Sequence, residues 1–289
     1  PRGAIARSAA FPRLTVVRRL ALLVAGAVLA APVSLWAAEV DAPGEVDLSG
    51  ADIVLLGEVH DNPDHHAAQA ELIRRLAPSA VVFEMLDAGQ AEVANAAEAG
   101  IDPAEFGAAL GWQDSGWPDF DLYAPVFAAT LDVGARIYGA ALPRETVRAA
   151  FDSGPAEVFG QDAERFGLTM PLPGDEQATR EAEQMSAHCD ALPGDMLPGM
   201  VGAQRLRDAA FARVTLEALD ATGGPVAVVT GNGHARTDWG MPVPLARAAP
   251  GVRVLSFGQL ESAPDAPPPF DAWYVTPAPE REDPCAAFR

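Results

Sequence analysis

Short apolar runs, each closed by turn residues, recur along this chain with helical stretches between them, and that alternation leaves few architectures open. The runs at 52–56, 80–83, 135–141, 226–230 and 252–257 are too short for helices and lack the apolar–polar alternation of a strand with one wet face. They read as parallel strands buried on both faces, and a shorter run at 273–275 reads as an edge strand. Helical spacing fills the gaps at 64–76, with Asp64 as N-cap and Pro78 as the stop, and at 87–98, 119–132 and 204–219. Alternating strands and helices predict an α/β fold with a mainly parallel sheet flanked by helices. Two stretches exceed a plain βαβ count: about 87–132, with Trp112 and Trp117, and about 145–220, rich in proline. Both are expected as helical insertions forming a cap over the carboxyl ends of the strands. Residues 262–289 make a Pro-rich tail.

The first 38 residues read differently. Arg2, Arg7, Arg13, Arg18 and Arg19 precede an apolar run over 20–31, and an Ala-rich exit follows. That order is a secretory signal peptide, with cleavage after Ala37 or Ala38. The run is shorter than the roughly 20 residues of a spanning helix. Residues 39–289 then form one domain with no transmembrane helix. Removing the leader takes five arginines and no acid, leaving a formal charge of −25 in a chain without lysine. Such a surface repels nucleic acid and anionic membrane. Neither Cys189 nor Cys285 lies near the leader exit, so no cysteine is placed to accept a lipid there. A periplasmic or secreted location is expected. An oxidising compartment would allow a Cys189–Cys285 disulfide, which spacing alone does not establish.

Three of the expected strands end in a side chain able to coordinate or titrate: His60, Glu84 and His234. Ligands of open parallel sheets bind outside the carboxyl ends of the strands, so these groups are expected to converge. Both histidines sit in a Gly-x-x-His pattern, Gly57 to His60 and Gly231 to His234. Two imidazoles and a carboxylate suit a metal ion or acid–base chemistry. The loop after the first strand adds His65 and His66, adjacent in sequence, of which His66 is the expected supporting partner. Arg144 follows the third strand and could fork onto a carboxylate or propionate. Tyr123 lies in an aromatic stretch with Trp112, Trp117, Phe120 and Phe127, and a tyrosine phenolate can ligate haem iron; Tyr138 is a further tyrosine.

The run Leu56-Gly57-Glu58-Val59-His60-Asp61-Asn62-Pro63, with His65, His66 and Gln69, resembles the N-terminal signature of ChaN-like proteins. Phe83-Glu84-Met85-Leu86 matches a second block of that family. Leu110-Gly111-Trp112 with Gly116 to Phe120 and Tyr123 resembles a third, and His188-Cys189 with Gln204 and Arg207-Asp208-Ala209 a fourth. Gly231 to Arg236 with Gly240-Met241-Pro242 resembles the last. The resemblance implies haem binding, a part in bacterial haem or iron uptake, and a homodimer around the haem. The wider superfamily holds the Tiki, TraB and erythromycin-esterase-like proteins, whose shared pattern maps to His60, Glu84 and His234. Two readings follow. One is an exported haem-binding protein using His60, His66, Tyr123, Arg144 and His234. The alternative is a metal-dependent hydrolase of a peptide or ester, with a divalent ion on His60, Glu84 and His234 that activates water. A catalytically inert scaffold for an envelope partner is a third expectation.

Overall fold

The computed structural model describes Gly3, residues 38–283 and residues 285–286. The expected leader therefore lies outside the described residues except at Gly3 and Ala38. Among the described residues seven strands form one sheet: β1 (Ala38–Glu39), β2 (Ile53–Glu58), β3 (Ala80–Phe83), β4 (Arg136–Gly139), β5 (Val226–Gly231), β6 (Val254–Leu260) and β7 (Ala272–Val275). Every pairing is parallel, in the order β1-β7-β6-β2-β5-β3-β4. The expected edge strand, β7, is covered by the two-residue β1.

Strand side chains alternate between faces, and two cores follow from that alternation. Val54, Leu56, Val81, Phe83, Ala227 and Val229 face one layer of helices. That layer holds α1 (Pro63–Leu76), α2 (Ala88–Asn95), α3 (Pro103–Ala109) and α4 (Phe120–Asp132). The intervening Ile53, Leu55, Ala80, Val82, Val226 and Val228 face the other layer. There lie α5 (Arg144–Ser153), α6 (Pro155–Phe159), α8 (Leu197–Thr222), α9 (Asn232–Ala235) and α10 (Pro242–Ala248), with α7 (Gly174–Ala187) packed on α8. The insertion expected at 87–132 thus covers a sheet face, and its aromatic part reaches round to the carboxyl edge.

Two local differences from the sequence expectation have clear causes. Helix α1 starts at Pro63, and Asn62, not Asp64, is its N-cap, accepting from the backbone N–H of Asp64 and His65. Proline suits the first helical position because its missing N–H has no partner there anyway. Helix α8 runs 26 residues, well beyond 204–219, because Pro198 falls in its first turn and does not interrupt it.

Cys189 and Cys285 form a disulfide that ties the tail to the end of α7. Arg281, on the same tail, pairs with Asp61 at 2.9 Å. Replacing both cysteines with serine is expected to lower stability by about 2–4 kcal/mol. The check is the urea midpoint without reductant; an unchanged midpoint would show that the tie contributes nothing.

Candidate functional site

The pleat explains how the site is assembled. Glu58 continues the even positions of β2 beyond Val54 and Leu56, so it faces α1 and α4. Glu84 extends the alternation of β3 from Ala80 and Val82, so it faces α8. The carboxyl edge of the sheet therefore carries one buried carboxylate toward each helical layer.

On the first side, Glu58 has a side chain with no exposed surface. Its Oε1 accepts from Tyr123 Oη at 2.8 Å and lies 2.8 Å from His60 Nδ1. Its Oε2 lies 3.1 Å from His66 Nε2, in ion-pair range but outside hydrogen-bond geometry. Burial alone would raise the Glu58 pKa; His60 and His66 outweigh it and hold the carboxyl at about 2. Tyr123 is fully buried, and burial together with Glu58 pushes its phenol far above the ordinary value. The His66 ring lies tilted against Tyr123, with ring centroids 4.1 Å apart. Trp117 meets the His60 ring edge-on at 4.8 Å.

On the second side, Glu84 Oε2 accepts from Thr230 Oγ1 at 2.6 Å and from the Gly231 N–H at 2.8 Å. Its Oε1 lies 3.5 Å from His234 Nε2. His234 Nδ1 donates to Asp208 Oδ1 at 2.7 Å, and Phe211 packs on the ring at 4.8 Å. Burial works to lower the His234 pKa, but Glu84 and Asp208 outweigh it and raise the pKa. Burial likewise opposes the ionised form of Glu84, and the charges of His234 and His60 overcome it, so its pKa falls.

Gly231 joins the two halves. A Cβ built there would stand 2.9 Å from His60 Nε2 and 3.9 Å from Glu84 Oε2. Gly57 has the reciprocal role: a Cβ on it would come 2.5 Å from Asn232 Oδ1 and 3.0 Å from Ala235 Cβ and the Phe257 carbonyl oxygen. Each Gly-x-x-His glycine thus makes room for the other motif.

The structure brings His60, Glu84 and His234 to one edge and places His66 and Tyr123 beside them. It does not bring Arg144 into hydrogen-bonded contact with any of them. Strand β4 ends at Gly139, residues 140–143 intervene, and Arg144 stands exposed at the start of α5. There it shares an open groove of about 650 Å³ with Arg148 and Arg207. Tyr138 lies on β4, half-buried, with Arg136 over its ring. His65 is structural: its Nδ1 accepts from the Val59 N–H, its Nε2 bonds Thr276 Oγ1, and burial pushes its pKa down to about 4. Of the groups expected to hold a divalent ion, Glu84 and His234 are in contact, whereas His60 Nδ1 is engaged by Glu58. Among the described residues no group of three or more His, Cys, Asp or Glu side chains is arranged to hold a metal ion.

Residues 46–245 match the family model described as haem-binding uptake, Tiki superfamily, ChaN. The chain belongs to the ChaN family. No curated protein matches its sequence. Among solved structures, the ChaN of Campylobacter jejuni, described with cofacially bound haem, aligns with a TM-score of 0.57 at 20% identity. That alignment covers 74% of this chain and 84% of the Campylobacter protein, and it shows a shared fold. Weaker likenesses are the type III effector HopBA1 (TM-score 0.42, 11% identity, 78% and 88% covered) and an erythromycin esterase in its open conformation (0.36, 15%, 77% and 75%).

Two buried carboxylates at this edge, Glu58 and Asp208, stand in the ChaN-like motifs but have no role of their own in the sequence reading. Each carried a signal. Glu58 is an acid at the end of a run otherwise wholly apolar. Gln204, Asp208, Phe211 and Thr215 recur at helical spacing on the face of α8 nearest the sheet, so an acid there is buried.

Glu58→Gln is expected to lower the His60 pKa, read from imidazole NMR titration, because the partner that raises it is gone. The same variant should flatten the acid limb of stability. Glu58 has its folded pKa below the ordinary 4.5, so its contribution is present above that pH and lost as pH falls toward about 2. Gly57→Ala should cost about 1–3 kcal/mol by forcing α9 off β2, measured by thermal unfolding; an unaltered Tm would mean that the close approach is dispensable.

Proposed function

We propose that this member of the ChaN family is an exported haem-binding protein of bacterial haem or iron uptake, and that His60 supplies the iron ligand. The observation that carries the assignment is the state of its two ring nitrogens. Nδ1 is engaged by Glu58, whereas Nε2 has no hydrogen-bond partner among the described residues, and the side chain is 36% exposed. A ligating imidazole needs one free nitrogen and gains basicity from a carboxylate on the other. His234 differs: both its nitrogens face carboxylates and its side chain is 9% exposed. Tyr123 would have to shed a proton that burial and Glu58 hold in place, so it serves to orient Glu58. His66 does the same from α1.

The residues fit a porphyrin in two further respects. Trp117 is a half-buried aromatic against His60. The side chains of Arg144, Arg148 and Arg207 make no ion pair or hydrogen bond with another described residue, and guanidinium groups suit propionates. When bound, haem would supply an iron centre; the chain's own part is to present one imidazole, shield one ring face and neutralise carboxylates. The uncovered ring face invites a second copy of the chain. Export is supported by the basic-then-apolar leader and by the Cys189–Cys285 disulfide, since disulfides persist in oxidising compartments.

Haemin titration of the purified chain should shift the visible spectrum to that of a ligated species. His60→Ala should weaken binding at least about tenfold, roughly 1.4 kcal/mol, and abolish the shift, while Tyr123→Phe retains it. A shift that survives His60→Ala would refute the ligand assignment. A spectrum identical to free haemin would refute haem binding. Sedimentation with and without haemin tests the second copy, and the N-terminal sequence of the protein recovered from the cell envelope tests export.

A further inference from the structure

A second cavity, of about 340 Å³, opens beyond Asp208, between the 166–173 segment, α7, α8 and α10. Its walls combine apolar groups, among them Phe166, Leu168 and Trp239, with the side chains of Arg180, Arg205 and Arg247. Such a mixture of apolar wall and a few convergent polar groups is the usual make-up of a small-molecule site, and the volume lies at the small end of the range of about 300–1,000 Å³. It is too small for a porphyrin.

Three arginines and three carboxylates line this cavity, but they do not all pair with one another. Glu176 pairs with Arg180, Asp238 with Arg236 and Asp208 with His234. Arg205 donates only to the backbone carbonyls of Gly167 and Met170, at 3.0 and 2.8 Å. The Arg247 side chain makes no ion pair or hydrogen bond with another described residue. Burial lowers the Arg205 pKa, and the like charges of Arg180 and Arg247 add to the effect while Glu176 and Asp208 oppose it. Arg205 and Arg247 are thus the two guanidinium groups of this lining that no carboxylate pairs with.

Two buried polar atoms point the same way. Arg180 is 7% exposed and its Nε has no hydrogen-bond partner among the described residues. Asp208 is 2% exposed; its Oδ1 is taken by His234, and its Oδ2 has no partner. Native proteins satisfy nearly all such atoms, and a group bound at the cavity wall is one way to do so. Arg180 and Arg236 sit over the Trp239 ring at 5.1 and 3.7 Å, which fixes the indole as a flat wall.

We propose that this cavity is a second binding site, for a small organic carboxylate whose apolar body lies against Trp239 and Phe166 and which carries a hydroxyl donor for Asp208. The carboxylate would complete Arg205 and Arg247, with Arg180 Nε as a further donor. The site is independent of haem at His60, and its test uses no haem.

The probe is 4-hydroxybenzoate, titrated calorimetrically into the haem-free full chain, with the neutral 4-hydroxybenzamide as its isostere. The acid should bind once per chain, and the amide at least about tenfold more weakly. Arg205→Gln should weaken the acid about tenfold without changing the affinity for the amide. Arg247 is exposed, so Arg247→Ala keeps the test intact should the Arg205 variant fold poorly, and it should weaken the acid several-fold. Equal affinities for acid and amide, or unchanged binding by the folded variants, would overturn the proposal. So would the absence of saturable heat up to about 10 mM, the weak limit for a ligand of this size.

Discussion

Strands β2 and β5 run parallel and in register, Ile53 against Val226 through Glu58 against Gly231, so both Gly-x-x-His turns leave the sheet side by side. Backbones that close cannot both carry side chains on their facing surfaces. Gly57 yields to Asn232 and Ala235, and Gly231 yields to His60. Asn232 then locks the arrangement, with its side chain bonded to the Gln259 carbonyl and accepting from the Gln259 N–H at 3.2 Å on β6. Three central strands thereby share one edge. The positions of His60, Glu84 and His234 follow from that interlock, because none of the three is held by its own segment alone.

Acid and imidazole then succeed one another along the edge, from Glu58 to His60, Glu84, His234 and Asp208. Burying any one of these charges alone would be expensive. As a succession each carboxylate has an imidazole beside it, which explains why the two glutamates keep lowered pKa values although burial opposes ionisation. Asp208, at the end of the row, departs from this pattern: burial wins and its pKa is raised. It has one imidazole partner, whereas Glu58 has His60, His66 and the Tyr123 hydroxyl.

The fold was largely legible in the sequence because the strands are buried on both faces and carry nearly unbroken apolar runs, which leave only a covered parallel sheet as a solution. The convergence of His60, Glu84 and His234 was legible for the same reason, through the rule that strand exits share an edge. Direction was harder to see. Whether Glu58 or Glu84 faces α4 or α8 depends on the phase of the pleat, and a run of Val, Leu and Ile on both faces carries no marker of phase. Tyr123 was expected as a ligand from residue type alone, and residue type carries no sign that its place in α4 puts the hydroxyl on Glu58. Arg144 looked like a strand end because the apolar run continues through Ala140 and Ala141, beyond the last paired residue, Gly139.

The buried network also bears on stability. Paired buried charges rarely stabilise more than apolar residues of similar shape would, so their value lies in fixing a single arrangement. Here the arrangement fixed is the His60 ring: Glu58 holds Nδ1, Trp117 bounds one edge and Gly231 leaves space at Nε2. An apolar residue at 58 would pack equally well between α1 and α4 and would leave the imidazole free to turn. The chain therefore keeps a carboxylate where the surrounding sequence, Ile-Val-Leu-Leu-Gly, would otherwise continue apolar. The departure from the hydrophobic pattern and the orientation of the half-exposed His60 imidazole are the same physical fact seen at two levels.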